Sequence, residues 1–366
     1  MARRGENIYK RRDGRWEGRY AKSRKVDGSI RYGYVYATTY KELKMKLVEH
    51  QLILKQAGSN PNPANFRGTI TTWINYWLET ISHKVKPSTY SSYKNKLECY
   101  VEPHIGSMKL HELTTDELNQ LINQWVGVLS AASIRIVFQV LKSCLREAEQ
   151  HGFLAKHIYE NVQLPKITKN RIRALTLKER TLVTQLAEQD IDGFPIFLSL
   201  ETGLRIGEIA GLKWQDINFA EQTLTVSRTL QRIQTFSSGR RKTTLFEGSP
   251  KTQMSRREIP LSDKMMLCLK AIQKDADCAY VVSKLGKPIE PRTITNHFKR
   301  IIEHTGISHV SFHALRHSFA TRCLECGVNI AAISALLGHT SVKLTLDVYT
   351  NTTRSEERRA INMLVS

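Results

Sequence analysis

The stretch from Ser311 to Thr353 holds the side chains with the most chemistry in this sequence. It reads S-F-H-A-L-R-H-S-F-A-T-R, then an apolar helical run, then L-L-G-H-T and D-V-Y-T. His313 and Arg316 are three apart and share a helix face, and His317, four beyond His313, lies near it. Phe312, Leu315 and Phe319 give that helix an apolar side that holds it against a core. A guanidinium donates in a plane to phosphate oxygens and stays protonated in the working range. With imidazoles and one tyrosine beside it, such a set could grip a phosphodiester and attack it. Taken alone, the stretch is read sooner as a solvated basic face with an ordinary structural histidine, since short motifs often match by chance.

Its partners lie upstream. In E-T-G-L-R-I-G-E, Gly203 relaxes the backbone at a helix junction. Arg205 and Glu208 follow three apart, with Leu204, Ile209 and Leu212 to anchor the turn. Either the carboxylate orients a phosphate clamp, or the two form a surface ion pair worth a few tenths of a kcal/mol. In S-P-K-T-Q-M-S-R-R-E-I-P, Lys251 enters a turn before a strand over 256–260. There it could deliver a proton in a groove, or meet only backbone or solvent. Gly338 ends a helix and projects His339 beside the cavity.

A phosphodiester cleaved without metal needs a nucleophile, cations for the pentacoordinate oxygens, a proton donor for the leaving 5′ oxygen, and groups that orient them. Tyr349, Arg205 with Arg316, Lys251, and His313 with His339 can fill these posts. The chain has no H-E-x-x-H, no G-x-x-x-x-G-K-[ST] and no compact carboxylate cluster. That argues against an ATPase or a two-metal nuclease, and no metal site or cofactor is expected.

The elements that must position these groups are spread over 366 residues, enough for two or three domains. Hydrophobic content of 41% with 24% charged residues fits a globular protein. The net charge of +21, from 55 Lys and Arg against 34 Asp and Glu, calls for a polyanion. Nucleic acid leads, with an anionic membrane surface behind it. The cations run through the whole chain, which favours several DNA-facing surfaces over one basic anchor. No signal peptide and no run of roughly 18 apolar residues is present, so a cytoplasmic, nucleoid-associated protein with no membrane partner is expected. The six cysteines (Cys99, Cys144, Cys268, Cys278, Cys323 and Cys326) read as reduced thiols. Cys323 and Cys326 have C-x-x-C spacing without a second pair, so a metal or redox role is not expected.

Residues 1–60 read as a small basic module. The Asp13-Gly14 turn, the Trp16 and Tyr20 strand, and the aromatic run I-R-Y-G-Y-V-Y-A predict three strands. Tyr40, Leu43, Leu47 and Leu54 predict a helix packed on them. Arg11, Arg15, Arg19, Arg24 and Arg31 are its candidate DNA contacts. A linker over 57–66 precedes an all-helical domain, residues 67–160. It starts with the stripe Ile70, Trp73, Ile74, Trp77, Leu78 and breaks at Pro87. A turn is expected at Pro103–Gly106, a helix start at Thr114–Glu117, and a long helix through Ile136, Val140, Leu141, Leu145 and Ala148. Lys84, Lys86, Lys94 and Lys96 either meet a phosphate backbone there or form a wet face. A basic linker over 160–173 leads to the third domain, 174–366, opened by a capping box at Thr176–Glu179. Within it, 235–248 reads as an extended hairpin or mobile insertion.

In order, T-G-L-R-I-G-E-I, P-K-T-Q-M-S-R-R-E-I-P-L, H-A-L-R-H, L-L-G-H-T and Tyr349 resemble the boxes of the tyrosine recombinases, the integrase family of phages and mobile elements. The resemblance covers the whole chain. It implies a multidomain, mainly α protein with small β elements: a three-stranded arm-binding module with one helix, a helical SAM-like core-binding domain, and a mixed α/β catalytic domain. It makes Tyr349 the nucleophile that forms a 3′-phosphotyrosyl link, Lys251 the proton donor, and Arg205 and Arg316 the phosphate clamp. His313 assists proton transfer, His339 donates to phosphate, and Glu208 supports Arg205. The implied partners are double-stranded DNA at core and arm sites, three further copies of the chain, and possible DNA-bending or excision accessory proteins. A type IB topoisomerase-like relaxing enzyme shares this chemistry, and a non-catalytic architectural protein would share only the DNA.

Overall fold

Side-chain alternation builds the N-terminal sheet. In the computed structural model, which describes residues 7–11, 13–24, 30–47, 66–167, 173–235, 242–249, 253–308 and 310–339, three antiparallel strands lie in the order β1 (Ile8–Lys10), β2 (Trp16–Arg24), β3 (Ile30–Ala37). Ile8, Tyr20, Val35 and Ala37 point to one face, where Leu43 and Leu47 of helix α1 (residues 40–47) cover them. Trp16 meets Tyr40 edge-on at 5.1 Å between ring centroids. The opposite face carries Tyr9, Glu17, Arg19, Tyr34 and Tyr36 in cross-strand register. Leu54 lies outside the described residues, as does the turn over 25–29.

The same unit, Met1–Lys169, holds the helices. In α2 (Ile70–Ile81), the expected stripe is buried and the Thr69 side chain caps the start. Pro87 opens α3 (Pro87–Lys96) at a position where its missing N–H costs nothing. The chain then stays helical where a turn is expected at Pro103. A π turn over Leu97–Val101 precedes α4 (Glu102–Ile105), and the Glu102 N–H reaches back to the Leu97 carbonyl. This widened turn makes room for the proline ring, which would otherwise strike the carbonyl four residues back. The reversal comes only after Ile105. Helix α5 (Thr115–Trp125) starts in a Thr114–Glu117 capping box, and α6 (Ala131–Gln150) starts at Ser130. Ile136, expected inward, is 55% exposed. The expected Val140, Leu141, Leu145 and Ala148 are buried, and Ile134, Val137 and Phe138 complete that face. Trp73 and Trp125 lie in this core and donate their indole N–H to the carbonyls of Cys144 and Tyr100, each at 3.0 Å.

The second unit, Asn170–Ser366, packs helices around small sheets. A Thr176–Glu179 capping box opens α7 (Leu177–Gln189). Helix α8 (Phe194–Thr202) is apolar nearly all round and accordingly buried. After α9 (Ile206–Ala210), strands β4 (Ile217–Asn218), β5 (Thr223–Val226) and β8 (Arg257–Pro260) form an antiparallel sheet. Between β5 and β8 the chain makes a regular hairpin of β6 (Thr229–Thr235) and β7 (Lys242–Gly248). Its tip, 236–241, lies outside the described residues. The hairpin is anchored at its base. Glu247 accepts from the Tyr280 hydroxyl at 2.7 Å and pairs with Lys213 at 2.8 Å, and Arg228 pairs with Asp216. Arg232 also reaches Glu290 at 2.7 Å. Helix α10 (Asp263–Lys274), the small ladder β9 (Ser283–Lys284) with β10 (Lys287–Pro288), α11 (Pro291–Glu303), α12 (His313–Glu325) and α13 (Ile330–Leu337) complete the unit. Ile294, Phe298 and Ile301 of α11 enter the core with Phe312 and Leu315. Among the described residues, no helix is long and apolar enough to cross a membrane.

Candidate active site

Buried Gly203 sets the course of the chain into the site. It ends α8 at φ +67°, a left-handed conformation, and a Cβ there would stand 2.5 Å from the Phe319 ring. The turn it makes delivers Arg205 to the N-terminal edge of α9. One helical turn on, Glu208 is only 3% exposed, which excludes a surface ion pair. Its carboxylate accepts from the Arg205 N–H at 3.0 Å and from the Arg205 guanidinium at 2.9 Å. A second guanidinium, Arg257 of β8, donates to both carboxylate oxygens, at 3.2 and 2.9 Å. Burial alone would push the Glu208 carboxyl up, but its bonds and charge pairing with Arg257, then with Arg205, hold it below the ordinary carboxylate range.

Arg316 comes from α12 and is likewise 3% exposed. It donates to the Gly203 carbonyl at 2.7 Å and to the Leu337 carbonyl at 2.6 Å. Burial, then the charge of Arg205, pushes it down to about 9, so it remains a cation at neutral pH. His313 begins the same helix, and its ring meets His317 edge-on at 4.8 Å. Partial burial, with His317, Arg316 and Arg205 near it, pushes His313 down to about 4. His317 is lowered by burial and by Arg316. Helix α13 ends at Gly338 with φ +62°, and His339 follows. Burial and the surrounding cations, Arg316 first, push His339 down to about 4 as well. The imidazoles at 313 and 339 are therefore neutral at pH 7 and able to accept a proton or donate a neutral hydrogen bond.

Arg205, His313 and Arg316 line one cavity of about 210 Å³, together with Thr295, Ser311 and Phe312. Three expected residues from two distant parts of the sequence thus line one cavity, and Glu208 sits directly behind Arg205. Lys251 and Tyr349 lie outside the described residues. Arg257 is absent from the expected set. Its signal was a strand alternation in R-E-I-P that puts Arg257 on the same face as buried Ile259. An arginine at an inward strand position needs a partner, and Glu208 is that partner.

The candidate DNA contacts are less uniform. Arg11 pairs with Glu17 at 2.5 Å and lies over the Tyr36 ring, while Arg15 pairs with Asp13 at 2.7 Å. Arg19 stacks on Tyr32, 3.7 Å from the ring centroid. The side chains of Arg24 and Arg31 lie outside the described residues. Lys84 and Lys86 are exposed. Lys94 pairs with Glu98 at 3.6 Å, and Lys96 donates to the Ser92 carbonyl at 3.3 Å.

The chain matches the Phage integrase family over residues 161–356 and the N-terminal SAM-like domain of phage integrases over 69–126. It is 26% identical over 322 residues to a XerC-like tyrosine recombinase of Caldanaerobacter subterraneus, covering 81% of this chain and 82% of that one. In fold it is similar to the integrase of transposon Tn1549, solved with a circular-intermediate DNA, at a TM-score of 0.67 and 22% identity over 81% of this chain and 99% of that one. It is also similar to lambda integrase, solved as a tetramer on a Holliday junction, at a TM-score of 0.59 and 19% identity over 92% and 96% of the two chains.

Proposed function

This chain belongs to the phage integrase family of tyrosine recombinases, and we propose that it inserts and releases a mobile element by metal- and ATP-independent strand exchange at specific DNA sites. The observation that carries this reading is the convergence of Arg205, Arg316 and His313 on one cavity. Two fixed guanidiniums suit the nonbridging oxygens of a phosphodiester whose charge grows in the transition state.

In this mechanism the Tyr349 hydroxyl oxygen attacks the scissile phosphorus. The bond to tyrosine forms as the bond to the 5′ oxygen breaks, which leaves a 3′-phosphotyrosyl link. Neutral His313 takes the tyrosine proton, Lys251 gives a proton to the leaving 5′ oxygen, and His339 donates a hydrogen bond to the phosphate. Glu208 holds Arg205 in place. The free 5′-hydroxyl of a partner strand then attacks the phosphotyrosine and reverses the step. One phosphodiester is exchanged for another, so no external energy source is needed.

Double-stranded DNA is the partner, with arm-type sites for the basic sheet module and core sites for the helices. Four copies would hold two duplexes, as the lambda integrase tetramer holds a Holliday junction, and DNA-bending or excision proteins would assist at the nucleoid. The test uses a nicked duplex taken from the end of the element that carries the coding sequence, with a chelator present. The native chain should form a covalent adduct and Tyr349→Phe should not. An adduct that persists in Tyr349→Phe overturns the choice of nucleophile, and one that needs magnesium overturns the metal-free mechanism.

A further inference from the structure

Three consecutive carbonyls at the end of α13 each receive one arginine from a different part of the chain. Arg257 Nε donates to Leu336 at 2.5 Å, Arg316 Nη2 to Leu337 at 2.6 Å, and Arg205 Nη2 to Gly338 at 3.4 Å. A helix C-terminus leaves such carbonyls unsatisfied and carries a partial negative charge, so three cations there are well placed. Two of these arginines line the cavity, and Arg257 does not. Arg257 instead ties the helix end to Glu208, which in turn grips Arg205. Gly338 packs against it closely: a Cβ there would lie 3.0 Å from Arg257 Cδ and 3.1 Å from its Nη1.

We propose that Arg257 is a positioning residue for strand cleavage, clamping the Leu336–Gly338 turn to Glu208 so that Arg205 and His339 are held in register with Arg316. This rests on the reading of the cavity as the phosphate site. Arg257 bridges two elements that each present one reacting group, the start of α9 with Arg205 and the end of α13 with His339. It uses Nε on one and the Nη pair on the other. Lysine carries the same charge but cannot span both, because it has a single ammonium in place of a planar fork. Among the described residues, the other charged and titratable groups facing this junction are Arg205 at the start of α9, Arg316 and His317 from α12, and His339 after α13.

The experiment compares Arg257→Lys and Arg257→Gln with the native full-length chain on the nicked duplex, at saturating DNA in single turnover. DNA affinity and thermal unfolding are measured alongside. The expected result is DNA affinity near that of the native chain with cleavage slowed about 100-fold in Arg257→Gln, the scale of an ångström-sized misplacement of reacting groups. Arg257→Lys should be slowed by a lesser factor, about tenfold, while remaining folded. In Arg257→Gln, Glu208 loses its strongest cationic partner, so cleavage should also fall further as pH is lowered. The double variant Arg257→Gln/Glu208→Gln should lack that added pH dependence. Native-rate cleavage by Arg257→Lys overturns the proposal. So does a loss in Arg257→Gln that only follows the unfolded fraction. Failure of the native chain to form adduct would instead overturn the recombinase reading itself.

Discussion

Arg316 is joined to Leu337 by a 2.6 Å hydrogen bond, and on its other arm to Gly203 at 2.7 Å. The guanidinium is thus fixed in its plane by two backbone carbonyls before any ligand arrives. It has five N–H donors, so hydrogens remain for a phosphate oxygen. In the proposed mechanism, this pre-setting would avoid reorganisation at the moment of reaction, which is where electrostatic catalysis gains most.

Arg316→Lys should therefore slow adduct formation by about 100- to 1,000-fold, the cost of losing one preorganised donor to a developing oxyanion. A single ammonium cannot serve both carbonyls and a phosphate. DNA affinity, measured by gel shift, should change little, because most binding comes from phosphates away from the scissile one. A rate equal to the native chain's would remove Arg316 from the mechanism.

Glu208→Gln tests the same framework from beneath. The carboxylate is buried between Arg205 and Arg257, and Gln leaves two guanidiniums without a countercharge. Removing one partner of a buried pair costs about 3–5 kcal/mol. For a unit of this size that corresponds to a fall in Tm of about 10 °C, readable by calorimetry. An unchanged Tm would mean that the carboxylate contributes orientation alone.

The depressed histidines set a pH window. His313 and His339 are held at about 4 in the folded chain, against an unfolded value of about 6.5. Between those values the unfolded chain binds more protons, so stability should be full above pH 6.5 and decline as pH falls toward 4. Glu208, lowered when folded, adds its own loss only below the ordinary carboxylate range. Thermal unfolding from pH 7.5 to pH 4.5 should show the decline, and His313→Gln should flatten it. A curve level down to pH 5 would mean that these imidazoles protonate freely in the folded chain.

Much of this site was legible in the sequence because its parts are local. Arg205 and Glu208 sit one helical turn apart, and Gly203 and Gly338 mark helix ends that the structure builds as left-handed caps. The capping boxes at Thr114 and Thr176 could be read for the same reason. What joins the parts is long-range. Arg316 reaches a carbonyl 113 residues away, and no periodicity reports that. Arg257 is hard to read from the sequence because β8 is only four residues long, too short for its alternation to stand out from the basic run around it. Pro103 misled because a proline signals a turn unless the helix before it widens, and a π turn has no sequence signature of comparable strength.

The lysines of the helical region make a last, separable prediction. Lys84 is exposed in the turn after α2, whereas Lys96 turns its ammonium onto the Ser92 oxygens and is lowered by burial. A cation that contacts a phosphate releases counterions, and losing it reduces the salt slope of binding by about 1. Lys84→Ala should weaken binding to core-site DNA and flatten its dependence on salt by that amount. Lys96→Ala should leave the salt slope nearly unchanged, because its charge is already engaged within its own helix. Fluorescence anisotropy over a salt series distinguishes the two. Equal changes in slope would mean that Lys96 leaves Ser92 when DNA binds, so that the segment from Lys84 to Lys96 acts as one phosphate-tracking surface.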